Sequence, residues 1–264
     1  MGVLDGKVVI VTGAARGLGR AMSAGLVAAG ARVVGADLPD GGALDKAARE
    51  LGPAFLPVEA DVTDEQACRR VVDEADRAFG GAGALINNAG IGMGGINRHF
   101  AASPTRFWEV TPEQWREVLE INATSQFLMA RALVPALIAR KWGRIVNVTT
   151  SYPTMVMTGF TPYGPSKATV EASTAIWSKD LAGSGVTVNA LLPGGPANTS
   201  MVTDDRAWPD RAKLVQPQAM VAPVVWLVSG ASDGVTGRRF NASLWNEANG
   251  AATAAMLASA PAAW

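Results

Sequence analysis

A tyrosine and a lysine four residues apart, Tyr163 and Lys167, are the side chains of this sequence best suited to proton transfer. On a helix this spacing places both side chains on one face. The pKa of a free phenol is about 10, and a nearby ammonium group lowers it by stabilising the phenolate. The pair therefore predicts a general acid–base that exchanges a proton with an alcohol or a ketone. If the pair stood alone, a tyrosine at a helix end and a lysine that reaches solvent would be the favoured interpretation. The strand-like segment before the pair and a glycine-rich segment near the start of the chain favour acid–base chemistry instead.

A glycine-rich segment follows the first apolar run of the chain, and it starts at Gly13 and ends at Gly19. Glycines let the chain turn sharply from strand to helix and let a pyrophosphate approach the N–H groups at the helix N-terminus. In that setting the segment predicts a dinucleotide site rather than a plain packing turn. The candidate cofactor residues of this segment are Gly13, Arg16, Gly17, Leu18 and Gly19.

Two charged residues near this segment bear on the choice of dinucleotide. Asp37 ends the second predicted strand, 18 residues after Gly19. A carboxylate there accepts hydrogen bonds from the ribose hydroxyls and repels a 2′-phosphate, which favours NAD. Arg16 acts in the opposite direction, because a guanidinium near that ribose can hold the phosphate of NADP. We predict NAD as the preferred cofactor, with NADP as the alternative.

Strand-like and helix-like segments alternate along the chain and must position these residues. The predicted strands cover 7–12, 31–37, 54–60, 83–87, 144–149, 186–192 and 238–242. The predicted helices cover 17–29, 63–79, 111–140, 163–182 and 218–229. Continuously apolar strands alternating with helices indicate an α/β fold: a doubly wound, Rossmann-like parallel sheet with helices on both faces, in a single domain over residues 1–264. Ligands of such sheets bind beyond the carboxyl ends of the strands.

Composition excludes several classes of function. The 264 residues carry 23 Lys plus Arg and 23 Asp plus Glu, and this charge balance argues against nucleic-acid and anionic-membrane partners. With one cysteine, Cys68, and one histidine, His99, we predict neither an internal disulfide nor a metal site. No targeting signal is apparent, and no uncharged apolar run approaches the ~20 residues of a membrane helix. We therefore expect a cytoplasmic protein with a small-molecule substrate.

Several motifs together resemble the short-chain dehydrogenase/reductase family over residues 5–243. They are Gly13-x-x-x-Gly17-x-Gly19, Asp61-Val62, Asn87-Asn88-Ala89-Gly90, Asn122, Tyr163-x-x-x-Lys167 and Pro193-Gly194. The resemblance implies an NAD(P)-dependent enzyme that interconverts a secondary alcohol and a ketone by hydride transfer. It also implies a homotetramer or homodimer joined through the long helices around Asn122 and Tyr163.

The resemblance further implies which residues contact the cofactor. Asp61 and Val62 would flank the adenine. The floor of the site would be shaped by Asn88, Ala89 and Gly90. The residues that approach the nicotinamide end would be Pro193, Gly194, Thr199, Tyr163 and Lys167.

The remaining catalytic candidates are an amide and a hydroxyl. By resemblance, Asn122 would order a water that connects Lys167 to solvent. The family usually places a serine thirteen residues before the tyrosine, and this chain has Thr150 there. Thr150 keeps a donor and an acceptor, although its methyl group restricts the rotamer. Ser151, one residue later, is the alternative.

Three segments outside these motifs are expected to shape the substrate site or the assembly. The loop 91–110 is longer than the family usually carries, and it is as well explained by a surface insertion or subunit contact as by a pocket wall. Residues 200–217 are predicted to form a mobile lid. The tail 244–264 is predicted to cover a substrate pocket, its own or a neighbour's, and to support the oligomer. Apolar residues favour an apolar or aromatic substrate, while Arg98 and Arg106 leave an anionic group open.

Two other functions fit parts of the pattern. A cofactor-binding sensor or scaffold of the same fold would keep the glycine-rich turn and lose turnover. A dehydratase or epimerase would use transient oxidation, but no additional substrate domain supports this function. Since Tyr163, Lys167 and Asn122 are all present, the sequence favours the oxidoreductase.

Overall fold

The computed structural model describes residues 2–39, 41–203 and 210–263. Within these ranges, eight strands form one sheet in the order β3-β2-β1-β4-β5-β6-β7-β8. The strands are β1 (Val8–Thr12), β2 (Arg32–Asp37), β3 (Phe55–Glu59), β4 (Ala84–Asn87), β5 (Gly143–Val148), β6 (Val186–Leu192), β7 (Arg238–Asn241) and β8 (Ser259–Pro261). Neighbouring strands are parallel from β3 to β7, and β8 pairs antiparallel with β7.

Helices connect the strands and cover both faces of the sheet. The α-helices are α1 (Gly17–Ala28), α2 (Ala43–Leu51), α3 (Glu65–Phe79), α4 (Pro112–Leu119), α5 (Ser125–Arg140), α6 (Tyr152–Met155), α7 (Tyr163–Asp180), α8 (Val221–Val228) and α9 (Ala251–Leu257). The strand order reverses between β1 and β4, so the carboxyl ends of these two strands flank the crevice in which such sheets bind ligands.

Burial on both faces explains why the strands are continuously apolar. Val9 and Val11 of β1 belong to one buried cluster with residues of α1 and α8, whereas Val8 and Ile10 belong to another with residues of α3 and α5. Side chains alternate between the faces of a strand, so a central strand needs an apolar residue at every position. The predicted doubly wound α/β fold is confirmed.

The long helix predicted over 111–140 contains a local change in winding. The side chain of Thr111 accepts a hydrogen bond from Gln114 N and begins α4. Residues Glu120–Thr124 then form one π-helical turn before α5 continues to Arg140. Such turns insert one extra residue into a helix and are frequent at functional sites. Here the turn carries Asn122.

By length and mean hydropathy, the run Pro112–Arg140 also passes the test for a membrane-crossing helix. The core helix of a globular protein passes the same test. Three side chains of α5, Met129, Leu133 and Leu137, are buried in the cluster between this helix and the sheet. The apolar character of α5 is therefore explained by its position in the core.

The tail forms two elements that the sequence patterns did not predict. Strand β8 lies on the outer edge of β7, with Arg239 opposite Ala260 and Phe240 opposite Ser259. The preceding helix α9 buries Ala254 and Ala255. An exposed edge strand invites pairing with other chains, so β8 also shields this end of the sheet.

Matched aspartate variants of α9 test whether the tail is docked. Ala254 is 0% exposed and Met256 is 65% exposed on the same helix. We expect Ala254→Asp to lower the free energy of unfolding by about 3 kcal/mol, since it buries an unpaired charge, and Met256→Asp to change it by less than about 0.5 kcal/mol. Urea unfolding measures both. Equal effects of the two variants would contradict docking of α9 through its alanine face.

Candidate active site

A cavity of about 1390 Å³ lies along the carboxyl ends of the parallel strands. Residues that directly follow the strands line it, including Gly13 after β1, Leu38 after β2, Asn88 after β4 and Pro193 after β6. The cavity therefore spans the point at which the strand order reverses, where doubly wound sheets bind ligands.

The glycine-rich turn forms one wall of this cavity. Gly13 and Gly17 have φ values of 66° and 55°, in the left-handed region that favours glycine. A Cβ atom on Gly19 would lie 2.0 Å from the carbonyl oxygen of Gly13, so a side chain is excluded there. The Asn88 amide donates to the carbonyl oxygens of Thr12 at 2.9 Å and Gly13 at 3.2 Å. The side chain that follows β4 thus fixes the turn that follows β1.

An acid lies at the far end of the turn. One carboxylate oxygen of Asp37 accepts a hydrogen bond from Ala15 N at 2.8 Å, and the other accepts from Leu38 N at 2.9 Å. These bonds hold the carboxylate beside the cavity wall, which Arg16 also lines. Both charges considered for discrimination between NAD and NADP therefore lie at the same end of the cavity.

Most of the predicted site residues lie on the cavity wall. They are Gly13, Arg16, Gly17, Leu18, Asp37, Asp61, Val62, Asn88, Ala89, Gly90, Thr150, Tyr163, Lys167, Pro193 and Thr199. Three predicted residues stand behind the wall. Gly19 packs against the turn itself, Gly194 packs against Asn241 and Ser243, and Asn122 is fully buried.

Tyr163 and Lys167 occupy the first two turns of α7, beside the end of β5. The hydroxyl groups of Thr150 and Tyr163 are hydrogen-bonded. The ammonium nitrogen of Lys167 donates to the carbonyl oxygen of Val148 at 3.0 Å. The structure therefore places the predicted acid–base pair and the predicted hydroxyl in one cluster on the cavity wall.

Burial controls the pKa of both titratable groups. It raises the pKa of Tyr163 to about 12, although the hydrogen bond with Thr150 acts in the opposite direction. Burial lowers the pKa of Lys167 to about 8. The expected depression of the Tyr163 pKa by a neighbouring ammonium is therefore wrong for the protein alone, because loss of hydration raises the pKa and Lys167 is not among the causes of the shift.

The neighbouring hydroxyl, Ser151, has a different partner. It begins α6, where its Oγ accepts a hydrogen bond from Thr154 N at 3.3 Å and lies 2.8 Å from the Thr154 hydroxyl oxygen. Ser151 therefore caps a helix, whereas Thr150 contacts the phenol of Tyr163.

Paired variants separate these two hydroxyls. We expect Thr150→Val to lower kcat for alcohol oxidation or ketone reduction by roughly 10²-fold, because it removes a hydrogen bond at the reacting oxygen. Ser151→Ala loses a cap worth about 1 kcal/mol in stability and keeps kcat within a few fold. Steady-state kinetics together with thermal unfolding measure both effects. Loss of turnover in Ser151→Ala alone would assign the role to Ser151.

Asn122 connects the π-helical turn to the segment after β4. Its Oδ1 accepts from Ile91 N at 2.8 Å, and its Nδ2 donates to Ile91 O at 2.9 Å and to Ser166 Oγ at 3.0 Å. Ser166 in turn donates to the carbonyl oxygen of Tyr163 at 2.7 Å. The Asn122 side chain thus holds the cavity floor and the start of α7 in a fixed relation.

The long loop 91–110 contributes a wall of the cavity. Met93, Phe100 and Pro104 line it, and the Phe100 ring packs edge-on against Phe160 with centroids 5.6 Å apart. The Phe160 ring then lies 6.1 Å from the Tyr163 ring. An aromatic series thus extends from this loop to the predicted catalytic tyrosine.

The charged and exposed residues of the loop 91–110 divide between the cavity and the surface. Arg98 lines the cavity, whereas Arg106 lies outside the lining and takes part in the cap of a short helix with Glu109. Phe107 and Trp108 are exposed. Of the two arginines considered for an anionic substrate, Arg98 is the one at the cavity.

The predicted lid is partly described. Residues 204–209 lie outside the described residues, whereas Thr199 to Thr203 line the cavity. The guanidinium of Arg211 donates hydrogen bonds to the carbonyl oxygens of Thr199 at 3.2 Å and Val202 at 2.9 Å, and so connects the two ends of this segment. The base of the segment closes through a parallel bridge between Ala197 and Val215.

The tail does not cover the cavity of its own chain, and its predicted position over a neighbour's pocket stays a prediction. None of the described residues 244–263 lines the cavity, which lies at the carboxyl ends of the strands. The tail instead pairs with β7 along the edge of the sheet. Short-range sequence patterns did not indicate this pairing, because it depends on a neighbour about twenty residues away.

A buried ion pair next to the site was not predicted from the sequence. Arg239 of β7 lies 2.9 Å from Glu171 of α7, four residues beyond Lys167. Two features of the sequence could have indicated this pair. Arg239 is a charged residue within the last predicted strand, and Glu171 follows Lys167 by four residues, which places it on the same face of the helix.

Known proteins similar to this chain agree in family and differ in substrate. The chain is 30% identical over 241 residues to 3-oxoacyl-(acyl-carrier-protein) reductase FabG of Vibrio cholerae, covering 89% of this chain and 94% of that protein. It is 32% identical over 247 residues to 3beta-hydroxysteroid dehydrogenase 1 of Eggerthella lenta, with 89% and 91% covered.

Solved structures and the family profile lead to the same assignment. The 3-ketoacyl-(acyl-carrier-protein) reductase of Brucella melitensis complexed with NADH superposes with a TM-score of 0.77 and 27% identity, covering 88% of this chain and 95% of that chain. A putative NAD(P)-dependent gluconate 5-dehydrogenase of Beutenbergia cavernae with bound NADP gives 0.78 and 30%, covering 90% and 96%. The short chain dehydrogenase profile matches residues 7–210. The chain belongs to the short-chain dehydrogenase/reductase family of oxidoreductases.

Proposed function

We propose that this chain is an NAD-preferring oxidoreductase that interconverts a secondary alcohol and a ketone on an apolar or aromatic substrate. The observation that carries the proposal is the hydrogen-bonded pair of Tyr163 and Thr150, on the wall of a cavity that continues to the glycine-rich turn. Tyr163 and Thr150 can exchange a proton with a substrate in this cavity, and the glycine-rich turn can hold a dinucleotide.

A nicotinamide dinucleotide fits the residues present. Gly13, Gly17 and Gly19 carry no side chains at this turn, and the N-terminus of α1 favours an anion. Asp61 and Val62 would flank the adenine, and the floor would be formed by Asn88, Ala89 and Gly90. The nicotinamide end would lie near Pro193, Gly194 and Thr199. When bound, this cofactor supplies or accepts the hydride.

The protein supplies the proton and the orientation. In ketone reduction, the Tyr163 hydroxyl gives its proton to the carbonyl oxygen, and in alcohol oxidation it takes that proton back. The Thr150 hydroxyl holds the same oxygen by a hydrogen bond. Lys167 lies one helical turn from Tyr163 and, when protonated, stabilises the phenolate left after proton transfer. Lys167 is buried, whereas Tyr163 and Thr150 are partly exposed on the cavity wall, where a substrate oxygen can reach both hydroxyl groups.

The aromatic and thioether side chains around Tyr163 support an apolar or aromatic substrate. Met93, Phe100, Met157 and Phe160 line the same cavity as Tyr163. The names of similar proteins span a 3-oxoacyl-(acyl-carrier-protein), a 3beta-hydroxysteroid and a 2-dehydro-3-deoxy-D-gluconate, the last from the 5-dehydrogenase of Dickeya dadantii. These substrates share an alcohol or ketone, which is the part that Tyr163 and Thr150 would contact.

A panel of secondary alcohols and ketones, assayed with NAD and NADP, tests the function. Cyclic and aromatic members with and without a carboxylate separate the apolar class from an anionic one that Arg98 would favour. Nicotinamide absorbance reports hydride transfer, and fluorescence of the reduced cofactor reports binding. Binding without hydride transfer to any member would favour the alternative of a sensor or scaffold.

Asp37 is expected to set the preference for NAD. We expect Asp37→Ala to reduce the ratio of kcat/KM with NAD to that with NADP by roughly tenfold or more, since the repulsion of the 2′-phosphate is lost. Asp45→Ala is the matched control, because Asp45 is an exposed acid on the nearby α2 and lies outside the cavity lining. An unchanged ratio in Asp37→Ala would contradict this role.

The oligomeric state and the cellular location of the protein are also part of the proposal. We infer a cytoplasmic homotetramer or homodimer whose contacts involve the outer surfaces of α5 and α7, where Phe127 and Ile176 are exposed. Multi-angle light scattering measures the mass. Neither nucleic acid nor membrane is a proposed partner.

A further inference from the structure

Arg239 contacts three groups around the active-site segment that follows β5. Its Nε donates to Glu171 at 2.9 Å, and its Nη2 donates to the main-chain carbonyl oxygen of Thr150 at 3.0 Å. Its guanidinium carbon lies 3.7 Å from the centroid of the Tyr152 ring. One side chain from β7 thus contacts both the segment that carries Thr150 and the helix that carries Tyr163.

Glu171 completes this connection on α7. It lies four residues beyond Lys167 and eight beyond Tyr163, so the three side chains share one side of the helix. Its side chain is fully buried, and it also accepts a hydrogen bond from the Tyr152 hydroxyl at 3.2 Å. Arg239 and Glu171 therefore connect the segment 149–152 to α7. The hydrogen bond between Thr150 and Tyr163 connects the same two elements.

Stability alone is a weak explanation for this pair. The Arg239 side chain is 13% exposed and Glu171 is 0% exposed, so both charges have lost most of their hydration. Replacing such a pair with apolar residues of similar size is often neutral or stabilising. The bond from Arg239 to the Thr150 carbonyl is the contact that an apolar pair could not reproduce.

We propose that Arg239 and Glu171 are positioning residues that hold the main chain of Thr150, so that its hydroxyl meets the phenol of Tyr163. The inference rests on the proposed alcohol–ketone chemistry, since in that chemistry the Thr150 hydroxyl hydrogen-bonds the reacting oxygen. Neither residue touches the reacting atoms. Their effect passes through the carbonyl of Thr150 and, by way of Tyr152, through the start of α6.

The test compares Arg239→Met with the double variant Arg239→Met/Glu171→Leu. The single variant leaves Glu171 buried without its charged partner and is expected to lower both the melting temperature and kcat. The double variant removes the unpaired charge and is expected to recover the melting temperature. Its kcat stays lower than wild type by roughly 10- to 100-fold, because the Thr150 carbonyl still has no donor. The KM for the cofactor is unchanged, since the glycine-rich turn is remote.

Arg238→Met is the matched control. This neighbouring arginine of β7 directs its guanidinium to Ser259 of β8 and should leave kcat at the wild-type value. A double-mutant cycle with Thr150→Val measures whether the ion pair affects kcat through Thr150. A purely structural role of the ion pair would lower kcat equally with and without the Thr150 hydroxyl. In that background, Arg239→Met/Glu171→Leu should cost little further kcat.

Hydrogen exchange of the peptide covering residues 149–156 tests the same contact without turnover. We expect faster exchange in the double variant than in Arg238→Met. Unchanged exchange overturns the inference, and so does a double variant that recovers kcat together with its melting temperature. Equal losses of kcat in the wild-type and Thr150→Val backgrounds also overturn it. A wild-type chain that turns over no panel member contradicts the proposed function, and the exchange experiment still decides the positioning.

Discussion

Replacing Tyr163 with phenylalanine should lower kcat for alcohol oxidation and ketone reduction by about 10²- to 10⁴-fold, the range that general acid–base catalysis contributes. The variant keeps the ring that packs against Phe160, with centroids 6.1 Å apart. It loses the hydroxyl that exchanges the proton and contacts Thr150. Because the pKa of Tyr163 is raised to about 12, the wild-type group is a protonated donor at neutral pH. Steady-state kinetics in both directions measure the loss.

Two controls make this result specific. Cofactor affinity, followed by fluorescence of the reduced nicotinamide, should be close to wild type, because the glycine-rich turn is untouched. The sequence has one other tyrosine, Tyr152, whose hydroxyl bonds Glu171. Tyr152→Phe removes one hydrogen bond and should cost at most about tenfold in kcat. If Tyr163→Phe also stays within tenfold, the proposed proton transfer is wrong.

The parallel sheet could be predicted because its cause is local and repeated. Strands such as β1 and β6 are buried over their whole length, and burial on both faces requires an apolar residue at every position. Helix α2 was not predicted, since it is largely polar and buries only Leu44 and Ala47. Strand β8 is three residues of Ser, Ala and Pro, which have low strand preference. Its conformation comes from pairing with β7.

The site shows the same division between local and long-range causes. The Gly13–Gly19 turn and the Tyr163–Lys167 pair each lie within a few consecutive residues. Their local geometry could therefore be predicted from the residue spacing alone. The direction of the Tyr163 pKa shift could not, because it depends on how far the folded chain removes the phenol from water. Arg239 could not either, since its partners lie on α7 and after β5, at least 68 residues away.

Lys167→Met is expected to abolish most turnover and at the same time stabilise the fold at neutral pH. The loss of kcat should be about 10²-fold or more, because no cation remains one turn from Tyr163 to stabilise its phenolate. The gain in stability has a separate cause. Burial lowers the pKa of Lys167 from 10.5 to about 8, so keeping this ammonium in the folded protein costs about 3 kcal/mol. Methionine has a similar length and no charge.

The pH dependence of that gain distinguishes a buried charge from a simple packing effect. Since the folded-state pKa of Lys167 lies below its unfolded value, the folded protein binds fewer protons between about pH 8 and 10.5. Wild-type stability should therefore rise across this window, and the advantage of Lys167→Met should shrink by about 2 to 3 kcal/mol between pH 7 and 10. Tyr163 is present in both proteins, so its raised pKa acts on both.

Urea unfolding at pH 7 and pH 10 measures this difference, with Lys179→Met as the control. Lys179 lies on the same helix and is exposed, so its replacement should leave the pH dependence of wild type. A stability gain in Lys167→Met that is constant with pH would mean that the ammonium is not penalised by burial. Loss of stability at every pH would mean that the bond from Lys167 to the Val148 carbonyl outweighs the cost of the charge. The expected result, a less active and more stable variant, follows if Lys167 is kept charged in the core for its effect on Tyr163.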